Sequence, residues 1–188
     1  MNKYLHKYLG LWRINNKEDL ITILHNAQDK NIISRAEENM AKQCLAVHSL
    51  PVEQVVIDKK HVKTIPDQAQ ASDVLREYEQ SKHSRYPVMN KEGDIIGLLL
   101  IKDLLSLLRQ HEHSQPIQTI MRPAVYAPHT QPVASLLREL QRTHKHMAII
   151  LDEYGVYQGI ITIEDLLEQI VGAIEDEHDA LHPEYIKT

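Results

Sequence analysis

Apolar residues recur along this chain in two rhythms, helical spacing of three to four and short runs of strand type. From Asn16 to His48 the spacing is helical. Leu20, Ile23, Leu24 and Ala27 line one face behind Asn16, a residue suited to the N-cap. Ser34 with Glu37 has the capping-box spacing, and the second helix continues through Met40, Cys44 and Val47. Ser49-Leu50-Pro51 ends it. The pattern predicts a helical hairpin packed on the main body. Met1–Asn16 has no clean pattern: Tyr4, Leu5, Tyr8, Leu9, Leu11 and Trp12 fit one side of a short helix, or a frayed or partner-packed segment.

After Pro51 the rhythm changes. Val55, Val56 and Ile57, then Val62 and Ile65, read as extended; Gln70–Gln80 reads as a helix with Val74, Leu75 and Tyr78 inward. A strand over Arg85–Met89, a turn at Glu92-Gly93, a strand over Ile95–Ile101 and a helix over Asp103–Arg109 follow, then a polar loop, His111–Gln115. The same order returns as extended Val125–Ala127, helix Pro132–Gln141, strand Met147–Leu151, turn Glu153–Gly155, strand Gln158–Ile163 and helix Glu164–Ile174. Leu75 and Leu137, Arg76 and Arg138, and Asp103 and Asp165 each lie 62 residues apart, with a one-residue slip near Tyr86 and Met147. This is a duplicated β-α-β-β-α unit. The predicted fold is α/β (α+β): two such repeats sharing a core, behind a helical N-terminal segment. The expected division is 1–50, 51–113, 114–179 and a tail, 180–188.

Composition narrows the function. A hydrophobic fraction of 43% and a charged fraction of 25% suit a globular domain. A net charge of −5 gives no basic face for nucleic acid. No apolar run reaches membrane-spanning length, and the first residues lack a signal-peptide pattern. Cys44 is the only cysteine, so no intrachain disulfide forms and a reducing compartment is expected. With no Phe, the core is built from Leu, Ile and Val.

The chemistry concentrates in Asp152–Asp179. There a strand carrying Ile160, Ile161 and Thr162 enters a helix whose first turn holds Asp165. Asp165 is an acceptor-only carboxylate able to take two sugar hydroxyls. Thr162 brings a hydroxyl to the helix N-terminus, where free N–H groups and the helix dipole favour phosphate. Thr162-x-x-Asp165 also fits a capping box that needs no ligand, and the two roles are compatible. The first repeat carries Leu100-Ile101-Lys102-Asp103 instead. Leucine cannot donate to ribose or phosphate, so the two sites are expected to be unequal. Tyr126 and Met147 either line the weaker site of Asp103 or pack in the core. His111/His113, His144/His146 and His178/His182 are short pairs without the three or four convergent ligands of a zinc site. The acidic run Glu175–Asp179 is read as a solvated helix end or a contact for a further domain, and no metal site is assigned. No Gly-rich phosphate loop, G-x-S-x-G or supported Cys–His pair occurs, so no enzyme is expected.

HSRYPV at His83–Val88, IMRPAVYAP at Ile120–Pro128, HMAIILDEYG at His146–Gly155 and the blocks TIEDLLEQIVG and DEHD resemble a pair of CBS domains, specifically those of the CorC branch of the CorC/CNNM magnesium- and cobalt-efflux proteins. NKEDLITIL and LPVEQVV in the helical lead-in resemble that branch too. The resemblance spans Asn16 to Asp179. It implies an adenosine nucleotide, ATP or AMP, with or without Mg2+, in the cleft between repeats. Thr162, Asp165 and one of Ile160 or Ile161 would hold it, and Ser84 and Arg85 would form the other wall. The resemblance places Ile57 at the ligand too, although Val56, Ile57, Asp58 and Lys59 stand where the family commonly has M-[TV]-P-R, so a proline and a hydroxyl are lost there. The resemblance also implies a flat homodimer, regulation of divalent-cation efflux or of a membrane transport partner, and a cytoplasmic location, peripheral at the inner face of the membrane. The family's C-terminal transporter-associated domain and membrane domain lie outside these 188 residues, as in a truncated or short form. The alternative is a structural dimerisation module whose cleft stays empty.

Overall fold

The computed structural model describes residues 14–109 and 116–171. The expectations for the first residues, for His111–Gln115, for Glu175–Asp179 and for His178 and His182 lie outside them. The described residues divide into two compact units, one within 49–166 and the other made of 14–48 with 167–171.

In the smaller unit α1 (Lys17–Asp29) and α2 (Arg35–Val47) form the expected hairpin. Asn16 caps α1 by accepting the Asp19 N–H at 2.8 Å. Ser34 and Glu37 close a reciprocal box on α2: Glu37 N–H donates to Ser34 Oγ at 3.2 Å, and Ser34 N–H to Glu37 Oε2 at 2.7 Å. Glu38 is 5% exposed, a buried charge that requires partners. Lys42 of the same helix and His25 of α1 supply them, with His25 Nδ1 at 3.2 Å. The hydrogen bond from Lys42 holds this carboxyl below the usual glutamate range, with a smaller contribution from His25.

The strands of the larger unit begin with two short ones, β1 (Ile57–Asp58) and β2 (Ile65–Pro66), where the sequence reads Val55, Val56 and Ile57, then Val62 and Ile65, as extended. A 3-10 turn over Lys59–His61 separates them, because Asp58 accepts the Lys60 N–H at 2.9 Å and caps it. Then follow α3 (Ala71–Ser81), β3 (Arg85–Met89), β4 (Ile95–Leu100) and α4 (Ile101–Arg109). The second repeat comprises β5 (Val125–Pro128), α5 (Val133–Thr143), β6 (Met147–Leu151), β7 (Tyr157–Thr162) and α6 (Ile163–Val171). From α3 to α4 every boundary recurs 62 residues later. The slip expected near Met147 is absent: Arg85, not Tyr86, is its counterpart, since each opens the strand that follows the first helix of its repeat. Even the hairpin turns correspond. Asn90 Oδ1 accepts the Asp94 N–H at 2.7 Å, and Asp152 Oδ1 accepts the Val156 N–H at 2.9 Å.

The helix C-caps correspond as well. Lys82 (φ 58°) and His144 (φ 52°) both occupy the left-handed region that disfavours side chains with a Cβ. His144→Gly should therefore stabilise the protein by about 0.5–1 kcal/mol. Lys82→Gly should gain less, because Lys82 Nζ lies 5.4 Å from the centre of the Tyr78 ring and that attraction is lost. Urea denaturation midpoints check the ranking; a larger gain at Lys82 would contradict it.

The sheets explain why the repeats fold together. One is β2-β3-β4 and the other β1-β7-β6-β5. Strand β1 lies in the lead-in of the first repeat yet pairs antiparallel with β7 of the second, Ile57 opposite Ile160 and Asp58 opposite Gly159. In return, Arg122, in the lead-in to the second repeat, exchanges two 2.9 Å backbone hydrogen bonds with Leu98 of β4. Each repeat thus lends its lead-in to the other's last strand. Glycines make room at both crossings. A Cβ on Gly97 would lie 3.1 Å from the Arg122 carbonyl oxygen, and one on Gly159 only 2.0 Å from that of Ile57.

Strand alternation gives each sheet two apolar faces. In the first repeat Tyr86, Val88 and Leu99 pack with Ala71, Val74, Ile101, Leu104 and Ile117 on the helix side. On the opposite face Ile95 and Leu98 meet Met147, Ile149, Tyr157 and Ile160, forming a core between repeats. A repeat alone would leave that face in water, so burial couples the two.

Candidate functional site

The second repeat's strand-to-helix junction is closed by its own residues. Thr162 ends β7, and Asp165 lies in the first turn of α6. The Thr162 N–H and hydroxyl both donate to Asp165 Oδ2, at 2.7 and 2.6 Å, and the Asp165 N–H donates to Thr162 Oγ1 at 3.2 Å. This is a capping box whose carboxylate bonds fall on one oxygen. The Ile163 N–H donates to the His146 carbonyl at 3.0 Å, tying the start of α6 to the loop before β6.

Neighbouring residues follow from register. Met147 stands directly opposite Thr162 on β6. Ile160 shares the face of Thr162, and Tyr126, Ile149, Ile160 and Ile57 form one row across four strands. Ile160 belongs to the core between repeats, with Ile57 packed against it. Ile161 points to the opposite face and is fully buried. Alternation therefore turns Ile160, not Ile161, toward the other repeat.

The first repeat's junction is built the same way and filled differently. Arg85 stands opposite Leu100, and the Ser84 carbonyl accepts the Ile101 N–H at 3.1 Å. Ser84 and Arg85 are thus placed beside Leu100 and the start of α4, while Met147 is placed beside Thr162. The sequence expectation set Ser84 and Arg85 on the wall facing Thr162 and gave Met147 to the Asp103 site or the core. Asp103, the counterpart of Asp165, is held by Arg122: Nε donates to Oδ2 at 2.7 Å and Nη2 to Oδ1 at 2.9 Å. The pairing pushes the Arg122 guanidinium further above its ordinary range. Sequence reasoning missed Arg122, although a lone arginine between Met121 and Pro123 in a lead-in was the available signal.

Tyr126 is anchored elsewhere. Its hydroxyl donates to the Ile95 carbonyl at 2.7 Å, at the opposite end of β4 from Asp103. Burial, with the charge of Asp94, pushes the pKa of its phenol above the usual tyrosine range. Tyr157, the counterpart of Ile95, is 5% exposed, and burial together with Asp58 pushes its phenol up to about 12. The D-E-Y-G segment is a turn. Asp152 takes the N–H groups of Tyr154 and Val156 on one oxygen and Gln158 Nε2 on the other, at 2.6 Å. The Val156 N–H is the main reason its carboxyl lies below the usual range.

Among the described residues no group of three or more His, Cys, Asp or Glu side chains could hold a metal ion, and no helix is long and apolar enough to cross a membrane. An open groove of about 580 Å3 runs along α4, lined by Lys102, Leu105, Ser106, Leu108 and Arg109. Chemically, the Thr162 junction offers a carboxylate, a hydroxyl and a helix N-terminus beside an aliphatic wall. The Asp103 junction offers a carboxylate already paired.

Comparison with known proteins agrees with this architecture. The sequence matches the CBS domain family twice, over residues 52–110 and 117–172. It is 35% identical over 165 residues to the magnesium and cobalt efflux protein CorC of Buchnera aphidicola subsp. Baizongia pistaciae, covering 87% of this chain and 58% of that one. The chain thus spans little more than half of that relative's length. The fold is similar to the CBS domain of a bacterial CNNM/CorC family Mg2+ transporter: TM-score 0.79 and 33% identity over 87% of this chain and 100% of that one. A further structure, such a domain in complex with ATP, gives a TM-score of 0.69 and 34% identity over 72% of this chain and 97% of that one. With two CBS matches, an internally duplicated fold and these relatives, the chain belongs to the CorC/CNNM family as a tandem CBS-domain pair.

Proposed function

We propose that this CBS pair is a regulatory switch that binds one adenosine nucleotide, ATP or AMP, at the Thr162/Asp165 junction. The observation that carries the reading is the junction's composition at the face between repeats. Asp165 Oδ1 accepts from the ribose, the Thr162 hydroxyl and the α6 N-terminus receive phosphate, and Ile160 with Ile57 flanks the base. Met147 completes the near wall. Arg85, on the same face of the other repeat, brings positive charge toward the phosphates, with Ser84 beside it. The related CBS domain in complex with ATP supports the ligand class. Mg2+ accompanies the nucleotide through its phosphates, since magnesium prefers oxygen ligands and keeps its waters.

A ligand touching both repeats favours one relative arrangement, and it shifts that equilibrium by no more than its differential affinity for the two. The output is regulation of Mg2+ and Co2+ efflux through a membrane transport partner, with the module a homodimer at the cytoplasmic face of the membrane. The pair itself performs no catalysis.

A second reading is favoured by the closed cap: Thr162 and Asp165 satisfy each other, so the junction is complete as a helix cap and the module serves as a dimerisation scaffold. Calorimetric titration of ATP, ADP and AMP, with and without Mg2+, separates the two. The switch predicts saturable binding and a ranking that names the signal. Absence of heat for all three, in folded protein free of co-purified ligand, would leave the scaffold.

A further inference from the structure

We infer that Arg122 is a specificity-determining residue that closes the first repeat's half-site with the chain's own guanidinium, so that each pair of repeats takes one nucleotide rather than two. The stoichiometry rests on the nucleotide reading of Thr162/Asp165; the closure of Asp103 does not.

The duplication supplies an internal comparison. Asp103 and Asp165 occupy the same position at equivalent junctions, 62 residues apart. Two differences separate them. Leu100 replaces Thr162, which removes the hydroxyl donor. The lead-in is the second difference. The Arg122 backbone pairs with Leu98, and Leu98 is the counterpart of Ile160, which pairs with Ile57. Arg122 and Ile57 are therefore counterparts in the exchanged lead-ins. At one junction the lead-in delivers an aliphatic side chain and leaves the carboxylate to Thr162. At the other it delivers a guanidinium that takes both carboxylate oxygens.

The pair competes directly with a ribose. Arg122 Nε and Nη2 occupy both oxygens of Asp103, so neither is left clear for a sugar diol, whereas the Thr162 bonds fall on Asp165 Oδ2 alone; and arginine stays charged at any physiological pH. An exposed ion pair on two free side chains would be a weak plug. Here the Asp103 side chain is 23% exposed, the contact is bidentate, and the Arg122 backbone is pinned to Leu98 by two hydrogen bonds. Pro123 stiffens the chain beyond it. Displacing two charge-assisted bonds should weaken a ligand there by about tenfold or more. The same contact joins α4 to the lead-in of the second repeat, so a ligand at Thr162/Asp165 would act on a pair already latched on its other side.

ATP titration of wild type, Leu100→Thr and Leu100→Thr/Arg122→Ala tests this, with the Arg122 Nε–H followed by NMR. Wild type and Leu100→Thr should each take one ATP per chain, and the double variant two. The Arg122 Nε–H should exchange slowly, remain unmoved by ATP, and lose its protection in Asp103→Asn. Two ATP in wild type or in Leu100→Thr, one in the double variant, or an Nε–H exchanging as a free arginine would overturn the inference. If wild type takes none, the Thr162/Asp165 reading fails by itself. One ATP gained by the double variant alone would still support closure by Arg122, and none gained would overturn it.

Discussion

Gly159→Ala is expected to destabilise the protein by about 2–3 kcal/mol and to detach β1 from β7. The cause is contact rather than backbone conformation. A Cβ at this position would sit 2.0 Å from the Ile57 carbonyl oxygen, 2.9 Å from the Ile57 carbonyl carbon and 3.0 Å from Val56 Cγ2. Two of these are backbone atoms of the crossing strand, so no side chain can swing aside. The strand must move and surrender its pairing. Gly97→Ala is the milder counterpart. Its nearest backbone atom would be 3.1 Å away, a misfit of a few tenths of an ångström, and about 1 kcal/mol should suffice. Urea denaturation of both variants measures the difference. Equal stabilities for Gly159→Ala and wild type would mean that β1 does not cross at Gly159.

The reason this effect is large also explains what was legible in the sequence. Strands β3 and β6 agree with expectation to the residue, because each is a short apolar run bounded by polar residues and set by local alternation. The duplication was legible for the same reason. Its apparent slip arose from matching apolar residues, Tyr86 with Met147; the backbone matches Arg85 with Met147, since that position faces the other repeat in both halves. The lead-ins were not legible. Ile57 pairs with Ile160 of the other repeat, and no local pattern encodes a partner so distant in sequence. Val55 and Val56 therefore looked like strand, although the register is made by Ile57 and Asp58 and then ended by the Asp58 cap.

Asp165→Asn is the second large effect, on binding rather than folding. Asparagine keeps a carbonyl oxygen to accept the Thr162 N–H, so the α6 cap survives and stability should change by about 1 kcal/mol or less. A ribose diol loses more. One of two acceptor oxygens becomes an NH2 donor facing a hydroxyl, and the charge that strengthens both bonds disappears. With charge-assisted bonds contributing about 1.5–3 kcal/mol each, the affinity for a nucleotide should fall about 100-fold. Alanine would be a poorer probe, because it removes the cap and the acceptor together.

The candidate site was legible where it is local and opaque where it is tertiary. Thr162 and Asp165 stand three residues apart, and their mutual hydrogen bonds are what a helix N-terminus imposes on that spacing. The choice between Ile160 and Ile161 needed only the sense of alternation, which the pairing with Ile57 fixes. Asp103 looked like a weak copy of Asp165 because of Leu100 alone. Its partner Arg122 arrives through the strand exchange, so the stronger reason for inequality was invisible until the lead-ins were placed. Tyr126 read either as a residue of the weaker site or as core; it is 45% exposed and its hydroxyl is committed to the Ile95 carbonyl.

ATP titration into Asp165→Asn beside wild type, with both proteins melted in the absence of ligand, separates a ribose carboxylate from a helix cap. A ribose at Asp165 predicts one site in wild type, binding about 100-fold weaker in the variant, and closely similar melting curves. Equal affinities would contradict a ribose at Asp165. Weaker binding accompanied by a large loss of stability would show that Asp165 acts as a helix cap, with the nucleotide lost only because the junction opens.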